Sequence, residues 1–349
     1  MSLIQTTPIT GPTAWRGADL AGDTSWIVRL TDGEIADLDR ALAAARASGR
    51  PMGEIDRAHF PLTVMRPRLE AALAEMSDGR GFLVLRGLPV ARYSDDDVGL
   101  IFWGLGRYLG RPLYQNPQGD LLGHVYDHGR TYGNIDVRGY ETNAYLPYHT
   151  DAGDMVGLLC LRRSLEGGLS SIVSSVTVHN EILATHREYL GLLYNGFYYI
   201  RRGAALTEHG VSERPIPVFG CRDGVVSCRY IRNQIDAGAV KRRVPLTPLE
   251  KAALDHLDEH AWERLVGPAM VEVPVRVRDI RHVGRLHPER GELADDVVAG
   301  PRVNAEAPGA LLAVATKHVR HRLAVQAGVE EQAAARVDDE EALDRHRPP

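Results

Sequence analysis

His149 and Asp151 stand two residues apart, in the segment Leu146-Pro-Tyr-His-Thr-Asp151 that precedes a short apolar stretch. In an extended backbone, side chains two residues apart point to the same side, so an imidazole and a carboxylate would share one face. With a second histidine from elsewhere, this pair makes the two-histidine, one-carboxylate site that holds Fe(II) and leaves coordination positions open. The same spacing also occurs where a surface histidine stands beside a turn-forming aspartate. The flanking sequence is therefore needed to distinguish a metal site from a surface pair.

The flanking sequence resembles the taurine catabolism dioxygenase (TauD/TfdA) family, part of the clavaminate-synthase-like oxygenases. In that family a His-Thr/Ser-Asp triplet precedes a strand, and a Gly-Gly-x-Ser/Thr element follows. Here Gly167-Gly-Leu-Ser170 follows the triplet. Residues 79–90 and 109–125 resemble the N-terminal half of the family, and the likeness covers roughly residues 25–265.

The resemblance implies a 2-oxoglutarate-dependent dioxygenase that uses Fe(II) and O2, with His149 and Asp151 as metal ligands. It also implies that the Ser170 hydroxyl helps to hold 2-oxoglutarate. Oxidation of an unactivated C–H bond in a small polar molecule, such as an amino acid or natural-product intermediate, would accompany release of succinate and CO2. Relatives that halogenate carry a small residue in place of the carboxylate, so Asp151 favours hydroxylation, desaturation or ring formation. Asn143 and Tyr145 are predicted to line the substrate pocket, with packing as the alternative role.

The family's second histidine ligand and its 2-oxoglutarate-binding arginine come late in the chain, where this sequence departs from the pattern. His287 is the predicted third ligand, and Arg302 is the predicted partner of the far carboxylate, a role suited to the forked guanidinium. An extra residue separates His287 from Arg290, and the family's aromatic closing strand is absent. The alternatives left open are His282, His318 and His321 for the ligand, and Arg320 and Arg322 for the arginine.

No Phe, Tyr or Trp follows Trp262 in the chain. A shifted reading frame in a GC-rich gene would produce a C-terminal sequence of this composition. Translation in one of the other two frames would then restore a Leu-His-x-Arg segment. The departure keeps open a catalytically silent relative that acts as a binding or scaffold protein. A metal-dependent hydrolase, or a cupin-type oxygenase that needs no keto acid, is a further alternative.

Capping residues and apolar periodicity predict the elements that position these residues. Helices are expected to begin after Thr31, Ser94 and Thr247, and helical periodicity covers 180–195 and 247–265. Short apolar stretches predict strands at 81–87, 155–161, 170–176 and 224–231. The mixture favours an α+β, mainly β fold. The resemblance implies a double-stranded β-helix (jelly-roll) core with flanking helices.

The bulk composition is that of a globular protein, with 44% hydrophobic and 25% charged residues among 349. We expect one oxygenase domain over 1–320 and a solvated or disordered tail over 321–349. A net charge of -5 gives no reason to expect a nucleic-acid or membrane partner, and no apolar run is long enough to span a bilayer. Three cysteines and an N-terminus unlike a signal peptide favour a cytoplasmic location. The oligomeric state is open, with a homo-oligomer among the alternatives.

Overall fold

The computed structural model describes residues 4–115, 119–125, 128–130, 142, 144–151, 153–162, 169–200, 210–222, 224–258, 270–272 and 311–315. At 169–170, 270–272 and 311–315 the description is of the backbone alone. Asn143, His287 and Arg302 lie outside the described residues, as does the predicted tail 321–349. The alternative ligands and arginines, His282, His318, His321, Arg320 and Arg322, lie outside them too.

The described part of the chain contains seven α-helices. They are α1 (Asp32–Ala47), α2 (Arg66–Asp78), α3 (Asp95–Leu109), α4 (Ser175–Thr185), α5 (Arg187–Asn195), α6 (Arg232–Arg242) and α7 (Pro248–His256). The starts of α1, α3 and α7 confirm the predictions, because the hydroxyls of Thr31, Ser94 and Thr247 each accept a backbone N–H from the first turn. In α1 and α7 a glutamate three residues on completes the capping box.

Helix α2 was not predicted; it has no side-chain cap, and the segment before it is held by a residue of another helix. The buried carboxylate of Asp37, on α1, accepts hydrogen bonds from the backbone N–H groups of Thr63, Val64 and Met65 at 2.8–2.9 Å. Burial alone would raise the pKa of Asp37, but the hydrogen bonds from Met65 and Thr63 outweigh it and lower that pKa. A local sequence pattern gives no sign of such a long-range contact.

Two predictions in the middle of the chain are wrong in part. The strand predicted over 170–176 ends at Ser171, because Ser174 accepts the N–H of Thr177 and starts α4 instead. The single helix predicted over 180–195 is two helices, since the backbone leaves the helical region at His186 (φ -143, ψ 57). Neither Gly nor Pro marks this break, so the sequence offered no signal for it.

Eight strands occur among the described residues and form three sheets. They are β1 (Ile27–Arg29), β2 (Phe82–Arg86), β3 (Met155–Leu159), β4 (Leu169–Ser171), β5 (Phe219–Arg222), β6 (Val225–Cys228), β7 (Met270–Glu272) and β8 (Leu311–Ala315). The first sheet has the order β1-β2-β8-β3, with β8 antiparallel to both of its neighbours. In the second, β4 runs antiparallel to β7 with Ser170 opposite Val271, and β5 and β6 form an antiparallel pair. Three of the four predicted strands are thereby confirmed in β2, β3 and β6.

The apolar side chains form two main clusters, one in each half of the chain. The first joins α1, α2, β2 and α3 through residues such as Leu38, Leu69 and Ile101. The second joins α4 to α7 with β5 and β6 through residues such as Leu193 and Phe219. The candidate ligands belong to the connection that leads into β3, between these two clusters in sequence. None of the described helices is long and apolar enough to cross a membrane.

Candidate metal centre

The His149-Thr150-Asp151 triplet lies in an irregular segment a few residues before β3. His149 and Asp151 are exposed, whereas Thr150 between them keeps only 9% of its accessible surface. This alternation fits an extended segment in which the two candidate ligands face one side and the middle residue faces the interior. The burial pattern therefore supports the shared face that the spacing predicted.

The imidazole of His149 is held in one tautomer by a neighbouring carbonyl group. Its Nδ1 atom lies 2.7 Å from the carbonyl oxygen of Pro147. A carbonyl oxygen can only accept a hydrogen bond, so Nδ1 carries a proton, and in the neutral ring the lone pair is on Nε2. Histidines that bind metals usually donate their other ring N–H to a carbonyl or carboxylate in this way.

The donor set fits Fe(II) as far as the described residues reach. An imidazole nitrogen and a carboxylate are two of the three ligands of a non-haem iron site. Among the described residues no group of three or more His, Cys, Asp or Glu could hold a metal ion. The predicted third ligand, His287, lies outside the described residues.

Thr150 is bound to a residue far along the chain by two hydrogen bonds. Its backbone N–H donates to the carbonyl oxygen of Tyr230, and the Tyr230 N–H donates to the Thr150 Oγ1, each at 2.8 Å. Tyr230 is fully buried and lies two residues before α6 begins. The triplet is thereby attached to the C-terminal cluster as well as leading into β3.

A polar network extends from Tyr230 into α6 and α7. The Tyr230 hydroxyl donates to Asp258 at 2.5 Å, and Arg232 donates to Asp258, Asp255 and Asp236 at 2.7–3.1 Å. Burial and the nearby charge of Asp258 raise the pKa of Tyr230, so its hydroxyl stays a donor. Burial would lower the pKa of Arg232, but its three carboxylate partners raise it, so the guanidinium stays charged.

A second contact brings the triplet close to the strand that carries Ser170. The hydroxyl groups of Tyr148 and Ser171 lie 2.5 Å apart, which joins the residue before His149 to the residue after Ser170. The structure thus places the backbone of the predicted 2-oxoglutarate residue beside the predicted ligand segment. Tyr145, on the same segment, exposes 74% of its surface and so does not pack in the core.

Tyr230 and the charged residues behind it were not predicted from the sequence. Arg232 and Asp236 have the four-residue spacing of a helical ion pair, and Asp255, in α7, lies three residues before Asp258. Those spacings could have indicated a charged cluster. Nothing in them indicates that the cluster supports a triplet about 80 residues upstream.

Comparisons with known proteins decide the family. The model of the family described as "Taurine catabolism dioxygenase TauD, TfdA family" matches residues 47–265. The chain belongs to this family. It is also 30% identical over 304 residues to FR-33289 synthase of Streptomyces rubellomurinus, which covers 85% of this chain and 84% of that one. A taurine hydroxylase-like protein of Stachybotrys chartarum is 28% identical over 247 residues, or 68% of this chain and 62% of that protein.

The TauD/TfdA fold is shared with a solved structure of an asparagine oxygenase in complex with Fe(II), 3-hydroxyasparagine and succinate. The TM-score is 0.54 at 16% identity, over 84% of this chain and 85% of that one. Family membership confirms that this chain is a dioxygenase that depends on Fe(II), 2-oxoglutarate and O2. The family match ends at residue 265, so His287 and Arg302 lie beyond it.

Proposed function

We propose that this TauD/TfdA enzyme hydroxylates an unactivated C–H bond of an amino acid or an amino-acid-like natural-product intermediate. His149, Asp151 and His287 are the proposed Fe(II) ligands. Ser170 and Arg302 are the proposed 2-oxoglutarate residues. The observation that carries the proposal is the His149 ring, whose Nδ1–H is engaged by Pro147 so that Nε2 is left for a metal.

The substrate class rests on the relatives. The asparagine oxygenase with the same fold is described with a hydroxylated amino acid and with succinate, the coproduct that hydroxylation by this family releases. The taurine hydroxylase-like relative is named for a small amino sulfonate. The intact Asp151 supports hydroxylation over halogenation, because a carboxylate occupies the position that chloride would need on iron.

Each residue has a distinct task in the proposed site. When bound, Fe(II) supplies with 2-oxoglutarate the activation of O2 that oxidation of an unreactive C–H bond requires. His149 presents a neutral nitrogen of fixed tautomer, and Asp151 adds one negative charge beside it. Arg302 would pair with the far carboxylate of 2-oxoglutarate through two parallel N–H groups, and Ser170 would add a hydroxyl. Tyr145, which is exposed, and Asn143 would line the substrate side.

The finer description of the fold is part of the proposal. A double-stranded β-helix core, decorated by helices, fits both the four antiparallel pairings among the described strands and the shared fold of the asparagine oxygenase. In this arrangement β4 and β7 form a short wall near the triplet, and residues 1–320 form one catalytic domain. Cys160, Cys221 and Cys228 form no disulfide bond, which supports a reducing, cytoplasmic environment.

Succinate release tests the proposal directly. The full chain is incubated with Fe(II), ascorbate, O2 and 2-oxoglutarate across a panel of amino acids and amino sulfonates. We expect at least one compound to stimulate succinate formation and to gain one oxygen atom, with no such gain for the His149→Ala variant. Turnover with the metal but without 2-oxoglutarate would favour an oxygenase or hydrolase that needs no keto acid. Binding of 2-oxoglutarate without succinate release for any compound would favour a silent relative.

A further inference from the structure

We propose that Thr150 and Tyr230 are positioning residues for the metal centre, and that their two hydrogen bonds fix His149 relative to Asp151. This inference rests on the proposed function of the two ligands. It assigns a task to the middle residue of the triplet, and it makes the site depend on α6 and α7, which lie outside the ligand segment.

Two hydrogen bonds join Thr150 to Tyr230, as two hydrogen bonds join a residue pair in an antiparallel sheet. The Thr150 N–H and Oγ1 both engage the backbone of Tyr230 at 2.8 Å, so translation and rotation of the segment are restrained together. Residues 144–151 form neither helix nor strand in the described structure. These two bonds therefore provide at the triplet the restraint that a strand ladder would otherwise provide.

The hydroxyl of Thr150 is essential to this arrangement. Tyr230 is fully buried, so its backbone N–H needs a partner within the protein, and the Thr150 Oγ1 is that partner. A valine in place of Thr150 would keep the shape of the side chain but remove the acceptor. Loss of this acceptor would favour movement of the segment, and the two candidate ligands flank the residue that moves.

The side chain of Tyr230 is itself held in place by charged residues. The hydroxyl of Tyr230 donates to Asp258, and Arg232 ties Asp258 to Asp255 on α7 and to Asp236 on α6. Arg232 keeps 18% of its side-chain exposure, so these charge-assisted bonds are partly shielded from water. Tyr230 is thus a fixed point against which the triplet is aligned.

An ordinary structural hydrogen bond would explain the same contacts without any role in metal binding. Thr177 offers a matched control, because its hydroxyl donates to the Trp15 carbonyl oxygen at 2.7 Å and the residue is also buried. Thr177→Val removes a buried threonine hydroxyl bond of similar length at a site on α4, away from the triplet in sequence. A purely structural role predicts the same outcome for the two valine variants.

The test is an anaerobic titration of the full-length chain with Co(II) or Fe(II), alongside thermal melting without metal. We expect Thr150→Val to weaken metal binding about 10–100-fold, the range that loss of a supporting residue behind metal ligands produces. Thr150→Ser keeps the acceptor and is expected to stay within about threefold of the wild type. Thr177→Val is expected to lower the melting temperature without changing the affinity for the metal.

Hydrogen exchange in the wild type makes the test independent of whether a variant folds. Because coupling between two sites is reciprocal, metal binding should slow the exchange of the Tyr230 amide several-fold. Wild-type affinity in Thr150→Val, or an unchanged Tyr230 amide in the metal-bound wild type, would overturn the inference alone. A wild-type chain that binds no metal would overturn the proposed function and this inference with it.

Discussion

The Nδ1–H of His149 donates a hydrogen bond to the carbonyl oxygen of Pro147, 2.7 Å away and two residues earlier in the chain. The bond spans the one residue between them, Tyr148, whose hydroxyl meets Ser171 on β4. The orientation of the candidate ligand is thus set by its own segment, and the segment is held to the strand that carries Ser170. Metal binding should therefore need little rearrangement of His149.

The carboxylate of Asp151 should matter for activity and hardly at all for folding. Asp151 is exposed, so Asp151→Ala should change the free energy of unfolding by less than about 0.5 kcal/mol. Loss of an iron ligand should lower substrate-dependent succinate release by more than about 100-fold. Asp96→Ala, which removes an exposed carboxylate from α3, is the control and should leave turnover unchanged. Hydroxylation at near wild-type rate by Asp151→Ala would rule out its role as a ligand.

Ser170 should affect 2-oxoglutarate more than the substrate. A hydrogen bond to a charged group contributes about 1.5–3 kcal/mol, so Ser170→Ala should raise the KM for 2-oxoglutarate about tenfold or more. Ser170→Thr keeps the hydroxyl and should restore most of the affinity. Ser171→Ala removes the neighbouring contact with Tyr148 and serves as the matched comparison. Equal effects of the two alanine variants on this KM would argue that β4 acts only as a support.

Arg232 should be a main source of stability in the C-terminal cluster. Arg232→Met would leave Asp236, Asp255 and Asp258 close together without their shared cation. Breaking a buried ion pair costs about 3–5 kcal/mol, and the partial exposure here reduces the expected loss to about 2–3 kcal/mol in urea unfolding. Arg162→Met, which breaks an exposed pair with Asp95, should cost less than about 1 kcal/mol. Similar losses in the two variants would contradict the importance of the cluster.

His179 should make the protein less stable in mild acid. Its ring is fully buried against Phe219 and bound to the Tyr194 hydroxyl, and burial lowers its pKa from 6.5 to about 4. As pH falls below the ordinary value of 6.5, the unfolded chain takes up a proton that the folded protein does not. The stability that the neutral ring contributes is therefore complete above this value and is lost progressively toward pH 4, by about 2–3 kcal/mol.

The non-titrating variant His179→Gln isolates this effect. Urea unfolding at about pH 7 and about pH 5 should show a smaller loss of stability in the variant than in the wild type. Other buried groups contribute equally to both proteins, so the difference between them reports on His179. The same loss in both proteins would show that His179 does not carry the acid sensitivity.

The sequence predicted those helices and strands whose ends are set by neighbouring residues. The capping residues Thr31, Ser94 and Thr247 mark the starts of α1, α3 and α7, and the apolar stretch that forms β2 lies between two glycines. Helix α2 was missed because it has no side-chain cap of its own, and Asp37, which holds the segment before it, lies about 26 residues upstream of the backbone groups that it binds. The break at His186 was missed because its ring packs against Tyr189 and His256, a tertiary contact that no local pattern shows.

In the candidate site, too, residues with local sequence signals were predicted and residues joined by long-range contacts were not. His149 and Asp151 could be predicted because both ligands and their spacing lie in one short segment. Tyr230 could not, because only its backbone atoms contact Thr150, which lies 80 residues earlier in the chain. The third ligand and the arginine, predicted as His287 and Arg302, lie beyond the family match and outside the described residues. The sequence therefore predicted the site residues that lie close together in the chain, and it did not predict the contact between distant residues.

The most direct test of the central claim is the anaerobic absorption spectrum of the full chain with Fe(II) and 2-oxoglutarate. Bidentate binding of the keto acid to iron should give a weak visible metal-to-ligand charge-transfer band, since the open positions of such a site accept this ligand. We predict that the band forms in the wild type, and that it is absent in His149→Ala although that variant stays folded. A folded wild-type chain without the band, or a band of equal strength in His149→Ala, would contradict the assignment of His149 and Asp151 as the core of an iron site.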